Sequence, residues 1–252
     1  MRFDQENLFT FDPGEPFPEL PLGFGLPEEI VCVTRHLDWE RLPIAYSQGI
    51  FPWYEKGQPV FWWLTNPRMV LQTKNFKVSH SLRKRLKRVL EYQYEGKELV
   101  IRVDSNTPQV IEACAEPRKN QNGTWITEEI FQSYLELASR DLVHSVEVYL
   151  DNDLMGGLYG VSLGRMFYGE SMFSRAPDLS KIALSLLVSL CAKENITWID
   201  CQQETAHLKS LGASPVSLKD FKEHISDFCR RSPVDWQAYR ETSLNLLVEN
   251  LI

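Results

Sequence analysis

The sequence predicts an α/β (α+β) fold built on a mixed sheet, and three observations carry that prediction. Residues 144–174 hold three strand-like runs, HSVEVYLD, LMGGLYGVSLG and RMFYGESMFS, separated by the short turns DND and LGR, the pattern of an antiparallel meander. The meander is followed by a long apolar helix, DLSKIALSLLVSLCAKE, and then by another strand, ITWID. A strand, a helical crossover and a further strand set parallel neighbours beside antiparallel ones. At 252 residues and 43% hydrophobic, the chain has enough apolar surface for a sizeable core. It divides into a small N-terminal domain (1–66), a main domain (67–235) and a tail (236–252) that can form an amphipathic helix.

Taken in order, residues 1 to about 30 are rich in Pro, Gly and Phe and read as an extended wrap. HLDWERLPIAYSQGIF is a short helix begun by Asp38, and GIFPWYEKGQP is a loop punctuated by Gly49, Pro52, Gly57 and Pro59. VFWWL is a strand with two adjacent tryptophans, and RMVLQ, after Pro67, is another. In SHSLRKRLKRVLEY the apolar Leu82, Leu86, Val89 and Leu90 fall at helical spacing. LVIRVD is a strand; TPQVIEACAE is a helix with Thr107 as cap and Pro108 in its first turn. NGTW is a turn, and TEEIFQSYLELASR is a helix capped by Thr127 with acids in its first turn. After ITWID, ETAHLKSLGA is a short helix stopped by Gly212.

Composition narrows the function. No 18-residue apolar run argues for a membrane span, and the acidic, proline-broken N-terminus has no signal-peptide character. Five widely spaced cysteines form no CxxC pair and no zinc pattern, as expected of reduced thiols in a cytoplasm. There is no P-loop, no GxGxxG and no cluster of metal ligands, so neither cofactor nor metal is expected. The net charge of −7 argues against non-specific nucleic-acid binding, yet RKRLKR concentrates Arg83, Lys84, Arg85, Lys87 and Arg88 in six residues. Such a patch can hold phosphates on an otherwise acidic protein.

One stretch carries chemistry on its face. ITWIDCQQETAHL leaves a buried strand through Asp200, Cys201 and Gln202. Strand side chains alternate, so if the extended geometry persists Asp200 and Gln202 share one face and Cys201 takes the other. The pair can cap the next helix, close the sheet end or act in a reaction centre; spacing alone leaves all three open. Glu170, in YGES, is a polar group among Phe167, Tyr168, Met172 and Phe173; it can hold a cation in a site or be a solvated residue at a sheet edge, and the strand alone leaves both open.

Together, AYSQGIFPW, WWLTNPR, GTWIT, HSVEVY, GGLYGVSLGRMFYGESMFS, SKIAL and DCQ…HLKSLGA, spread over residues 45–215, resemble the leucyl/phenylalanyl-tRNA–protein transferase family. The resemblance implies a GNAT-like acyltransferase domain that moves Leu, Phe or Met from aminoacyl-tRNA to proteins beginning with Arg or Lys, marking them for degradation by the N-degron route. It implies Asp200 and Gln202 as the catalytic pair, the acid polarising the amide whose oxygen draws on the incoming amine. Glu170, with Ser171 beside it, would hold the acceptor peptide. Trp53 and Trp125 match family tryptophans near the tRNA 3′ end, where an adenosine can stack. Leu158, Phe167, Leu184 and Leu187 would line the pocket for the aminoacyl side chain, and Arg83–Arg88 would face acceptor-stem phosphates. Upstream of AYSQGIFPW the family's Gly-Gly-Asp-Leu run is replaced by TRHLDWERL.

The chemistry asks little of a cofactor. The amino acid is already activated as an ester, and about a tenth of an α-amine of pKa near 8 is neutral at pH 7. Positioning, proton removal and oxyanion stabilisation should dominate. Three rivals are weaker. An acyl-CoA-dependent GNAT enzyme would need a basic, glycine-rich turn where this chain has SMFSRAPDLSK. A Cys201–His207 hydrolase has no motif around its cysteine. A purely tRNA-binding module leaves GESMFS and DCQ without a use.

Overall fold

The computed structural model describes residues 15–18, 28–117, 124–240 and 243–252. The expected wrap over residues 1–30 lies mostly outside them. Two sheets organise what is described. The smaller has the order β1 (Ile30–Thr34), β3 (Val60–Trp63), β2 (Phe51–Pro52), with α1 (Arg41–Ser47) between β1 and β2 in sequence. Phe17 packs on Trp62 of this unit, ring centroids 4.9 Å apart.

The larger sheet has eight strands. In chain order they are β4 (Arg68–Gln72), β5 (Gln93–Tyr94), β6 (Lys97–Val103), β7 (Val143–Leu150), β8 (Asp153–Leu163), β9 (Met166–Ser174), β10 (Trp198–Asp200) and β11 (Ser214–Val216). Across the sheet they run β11-β4-β10-β9-β8-β7-β6-β5. The meander β7-β8-β9 is antiparallel as the sequence predicts, and the crossover through α5 (Leu179–Lys193) makes β10 parallel to β9. The mixed α/β class follows. Gly156 lets α5 start close over β8, since a Cβ there would lie 2.5 Å from that of Leu179.

One apolar core lies on the α5 side of the sheet, with α2 (His80–Leu90), and a second lies on the opposite side. That second core unites α3 (Thr107–Ala115), α4 (Glu128–Ser139) and the small sheet. The caps show how local sequence sets these helices. Ser79, Thr127 and Thr205 each accept an N–H of the first turn of α2, α4 and α6 (Ala206–Ser210). The cap of α3 is Asn106 rather than Thr107, and Asp38 accepts the Glu40 N–H three residues before α1 begins. Gly212, at φ +100, ends the turn after α6 against the Asn75 carbonyl, where no Cβ fits.

Two segments depart from the sequence reading. Residues 218–228 form α7 (Leu218–Phe228), whose Phe221 and Ile225 are buried; Ser217 accepts the Asp220 N–H, a capping pattern visible as S-L-K-D. The tail is two short 3-10 turns, Trp236–Tyr239 and Asn245–Leu251, rather than an amphipathic α-helix. Buried Asn245 accepts the Ile101 N–H and donates to the carbonyls of Val89 and Leu99, finishing the backbone of β6 and the end of α2 with a side chain. No helix among the described residues is long and apolar enough to cross a membrane.

Candidate active site

β9 and β10 pair only through Phe167–Ile199 and Tyr168–Asp200, and then part. A cleft of about 490 Å³ opens where they diverge. Its walls come from both sides of the sheet. Leu71, Leu158, Met172, Leu184, Leu187 and Ile199 line it from the α5 side, while Tyr159, Glu170 and Trp125 belong to the opposite side. The cleft therefore joins an apolar half to a polar half through a slit in the sheet.

Glu170 enters the polar half because of a register shift. Tyr159 pairs with Ser171 and Gly160 with Gly169, so Glu170 is the extra residue of a β-bulge, a device that re-aims a side chain. Its carboxylate accepts from Tyr46 Oη at 2.6 Å, Tyr134 Oη at 2.9 Å and Gln202 Nε2 at 3.3 Å. The two tyrosine hydroxyls also lie 2.5 Å apart. Burial pushes the Glu170 carboxyl up to about 7; the tyrosine hydrogen bonds oppose the shift and the Asp200 charge adds to it. Burial and the Glu170 charge likewise hold both tyrosines protonated, well above the ordinary tyrosine range.

Gln202 sits in the left-handed region at φ 53, so the extended geometry ends at Asp200. That break corrects the expected common face of Asp200 and Gln202. Gln202 turns into the cleft beside Cys201, and Asp200 is fully buried outside its lining. The Asp200 carboxylate takes a bidentate pair from Arg68, Nε to Oδ1 at 2.8 Å and Nη2 to Oδ2 at 2.7 Å. Its Oδ1 also accepts the Gln202 backbone N–H at 2.9 Å. Cys201 does face away from Asp200, as strand alternation has it, and with Ile199 it lines the cleft; only Gln202 departs from the expected face. Burial, followed by the Asp200 charge, pushes its thiol up to about 12, so it offers no thiolate at neutral pH.

Of the residues the sequence points to, Glu170, Ser171, Gln202, Trp125, Leu158, Leu184 and Leu187 meet in the cleft. Phe167 does not: it is buried in the core on the α5 side, its ring 5.8 Å from that of Trp236 and packed over Gly160, where the missing side chain leaves room for it. Trp53 lies outside the lining too, on the small sheet, 42% exposed and edge-on to Trp63 at 5.6 Å. In α2, Arg85 pairs with Glu95, Arg88 with Glu91, and Arg83 bonds the Ile252 carbonyl, whereas Lys84 and Lys87 are exposed and have no ion pair among the described residues. Arg68, Tyr46 and Tyr134 were not singled out by the sequence. The PR of WWLTNPR and the Y of AYSQGIF were visible, but nothing in their spacing says that they meet residues 132 and 124 positions on.

Among the described residues, the nearest thing to a metal-ligand set is Asp104, Asp141 and His144. Arg240 already pairs with both acids there, and His144 Nδ1 lies 2.8 Å from Asp104. A guanidinium in the middle of the set fits a structural ion-pair network better than a cation site.

Comparison with known proteins gives one answer. The family model described as "Leucyl/phenylalanyl-tRNA protein transferase" matches residues 70–226, and that of its N-terminal domain matches residues 35–66. The Leucyl/phenylalanyl-tRNA--protein transferase of Bordetella bronchiseptica is 46% identical over 233 residues, covering 92% of each chain. That of Leptothrix cholodnii is 48% identical over 226 residues, covering 88% of this chain and 87% of the relative. Among solved structures, a GCN5-related N-acetyltransferase from Kribbella flavida aligns at TM-score 0.34 and 10% identity over 69% of this chain and 59% of its own. At that score the alignment carries no weight.

Proposed function

The chain belongs to the leucyl/phenylalanyl-tRNA protein transferase family, and from that premise we propose how its cleft performs the transfer. The enzyme moves an amino acid from aminoacyl-tRNA to the N-terminus of an acceptor protein. The donor amino acids are Leu, Phe and Met, the acceptors begin with Arg or Lys, and the products enter the N-degron route. Aminoacyl-tRNA is a cytoplasmic substrate, which places the reaction there.

One observation supports this reading above the rest: a single slit joins an apolar pocket to an acid that three donors hold. The aminoacyl side chain enters the half lined by Leu158, Leu184 and Leu187, and burying it supplies about 1.5–3 kcal/mol. The acceptor's N-terminal residue enters the polar half, its cationic groups against Glu170 and Ser171. The terminal adenosine stacks on Trp125 at the mouth and on Trp53 beyond it.

The ester carbonyl then lies between the two halves. Gln202 donates its amide N–H to Glu170, which leaves Oε1 to accept from the incoming amine. The amine nitrogen forms the C–N bond and its proton passes to Glu170, poised near neutrality. The tetrahedral intermediate collapses with cleavage of the bond to the ribose oxygen, which takes the proton back as the tRNA leaves. No ATP or external oxidant enters this balance. Asp200, paired with Arg68 outside the cleft, holds Gln202 in place rather than receiving the proton.

The test mixes the protein with labelled leucyl- or phenylalanyl-tRNA and a peptide beginning with Arg, without ATP or CoA. Label should appear at the peptide N-terminus. No transfer, with acyl transfer from CoA thioesters instead, overturns the reading. The same assay locates the RNA track. Lys84→Ala with Lys87→Ala should weaken tRNA binding and reduce the slope of log K against log salt by about 1.5. Arg85→Ala and Arg88→Ala should change it less, because Glu95 and Glu91 already neutralise those guanidiniums. An unchanged slope in the lysine variant removes α2 from the interface.

A further inference from the structure

Arg68 has no accessible surface, so it can touch neither substrate, yet it stands at the centre of the contacts that shape the cleft. Its guanidinium is stacked between two rings, Phe51 of β2 at 4.7 Å and Phe221 of α7 at 4.8 Å. All three nitrogens are in use: Nε and Nη2 on Asp200, and Nη1 on Thr65 Oγ1 at 3.2 Å. Both partners then converge on the backbone of one residue. Asp200 Oδ1 accepts the Gln202 N–H at 2.9 Å, and Thr65 Oγ1 donates to the Gln202 carbonyl at 3.3 Å. The Met69 N–H reaches the same carbonyl at 3.3 Å. Gln202 is thereby fixed at φ 53, a conformation that a non-glycine residue adopts only when its surroundings hold it there.

We propose that Arg68 is a positioning residue for aminoacyl transfer: through Asp200 and Thr65 it clamps Gln202 in the left-handed conformation that presents its carboxamide to the cleft. The clamp reaches further than the cleft. Phe51 opens β2 and the exposed Trp53 directly follows that strand, so the segment that leads into this tryptophan also supplies one face of the guanidinium sandwich. A guanidinium suits this place because it is planar, stacks on rings and offers a bidentate fork; an ammonium is neither planar nor a fork. The inference rests on Gln202 acting in the reaction as proposed above.

The test is a double-mutant cycle on the full chain, with leucyl-tRNA and an Arg-initiated peptide, after circular dichroism has shown each variant folded. Arg68→Lys should lower kcat on the order of 100-fold with both KM values within about twofold, since an interaction made only in the transition state is lost. In a Gln202→Ala background, Arg68→Lys should cost almost nothing more, because a residue acting through Gln202 has nothing left to position. If the two losses multiply, Arg68 is a structural residue only and the proposal falls. Should Arg68→Lys fail to fold, Thr65→Val replaces it in the cycle: a roughly tenfold loss absorbed by Gln202→Ala supports the clamp, and a multiplied loss or none overturns it. A wild-type protein without transfer activity removes the functional reading itself. Full activity of Gln202→Ala alone removes only the role of Gln202 and, with it, the clamp.

Discussion

Asp200→Ala is expected to destabilise the fold by about 3–5 kcal/mol, because it strands a buried guanidinium without its counter-ion. The acid and Arg68 both have fully buried side chains and share two hydrogen bonds of 2.7–2.8 Å. Against a typical total of roughly 5–15 kcal/mol, that loss leaves little stability in reserve. Urea denaturation measures it directly. The double variant Asp200→Ala with Arg68→Met should recover much of the loss, since two apolar side chains leave no charge unpaired. Asp200→Asn should be milder than Asp200→Ala, as its Oδ1 still accepts the Gln202 N–H. Loss of transfer by Asp200→Ala with an unchanged urea midpoint would show instead that the acid works on the reacting groups. The urea midpoint, measured beside the activity, separates chemistry from folding at this position.

How far the site was legible in the sequence follows from which interactions are local. The meander, the long apolar helix and the strand after it each carry their own period, and their order implies a mixed sheet with a parallel pair. The parting of that pair is also foreseeable in outline, because ITWID is short beside RMFYGESMFS. The expected common face of Asp200 and Gln202 fails for a nonlocal reason. Alternation holds only while the backbone stays extended, and contacts from Arg68 and Thr65, more than 130 positions upstream, turn the chain at Gln202. Cys201 stays opposite Asp200 as alternation has it, and reaches the cleft because the face it shares with Ile199 is the one that opens there. The bulge that aims Glu170 was equally hidden: a shift of register between Tyr159 and Gly160 leaves no compositional mark. Phe167 and Leu158 look alike as apolar strand residues, and only the packing of Trp236 against one of them tells core from pocket. The tail shows the converse limit. Its Leu and Val pattern suggests an amphipathic helix, yet Asn245 spends its side chain on three backbone groups of neighbouring elements, and two tight turns satisfy those better than a helix would.

Glu170→Gln is expected to lower kcat/KM for an Arg-initiated peptide by roughly two to three orders of magnitude, the effect of removing one member of a desolvated charge pair worth about 2–5 kcal/mol. In the wild type, kcat/KM should climb through an inflection near pH 7 as the free enzyme's carboxyl ionises and becomes able to hold a cation. The glutamine variant should lack that inflection and keep only the rise from the acceptor amine itself. Stability should move the other way. The folded carboxyl titrates near 7 and the unfolded one near 4.5, so between those values the folded state holds a proton that the unfolded chain has released. Stability from this group is therefore fully present below about pH 4.5 and is lost as pH rises to 7. A neutral isostere removes the loss, and Glu170→Gln should be more stable than the wild type at pH 8 while nearly equal to it at pH 4. A variant that is both less active and less stable at pH 8 would mean that the tyrosine pair depends on the carboxylate, and that Glu170 serves the fold before the acceptor. The expected opposition of the two effects has a simple physical source. Tyr46, from the small N-terminal unit, and Tyr134, from α4, hold a charge where the protein itself would be better off without one, and only a cationic acceptor in the cleft makes that charge favourable.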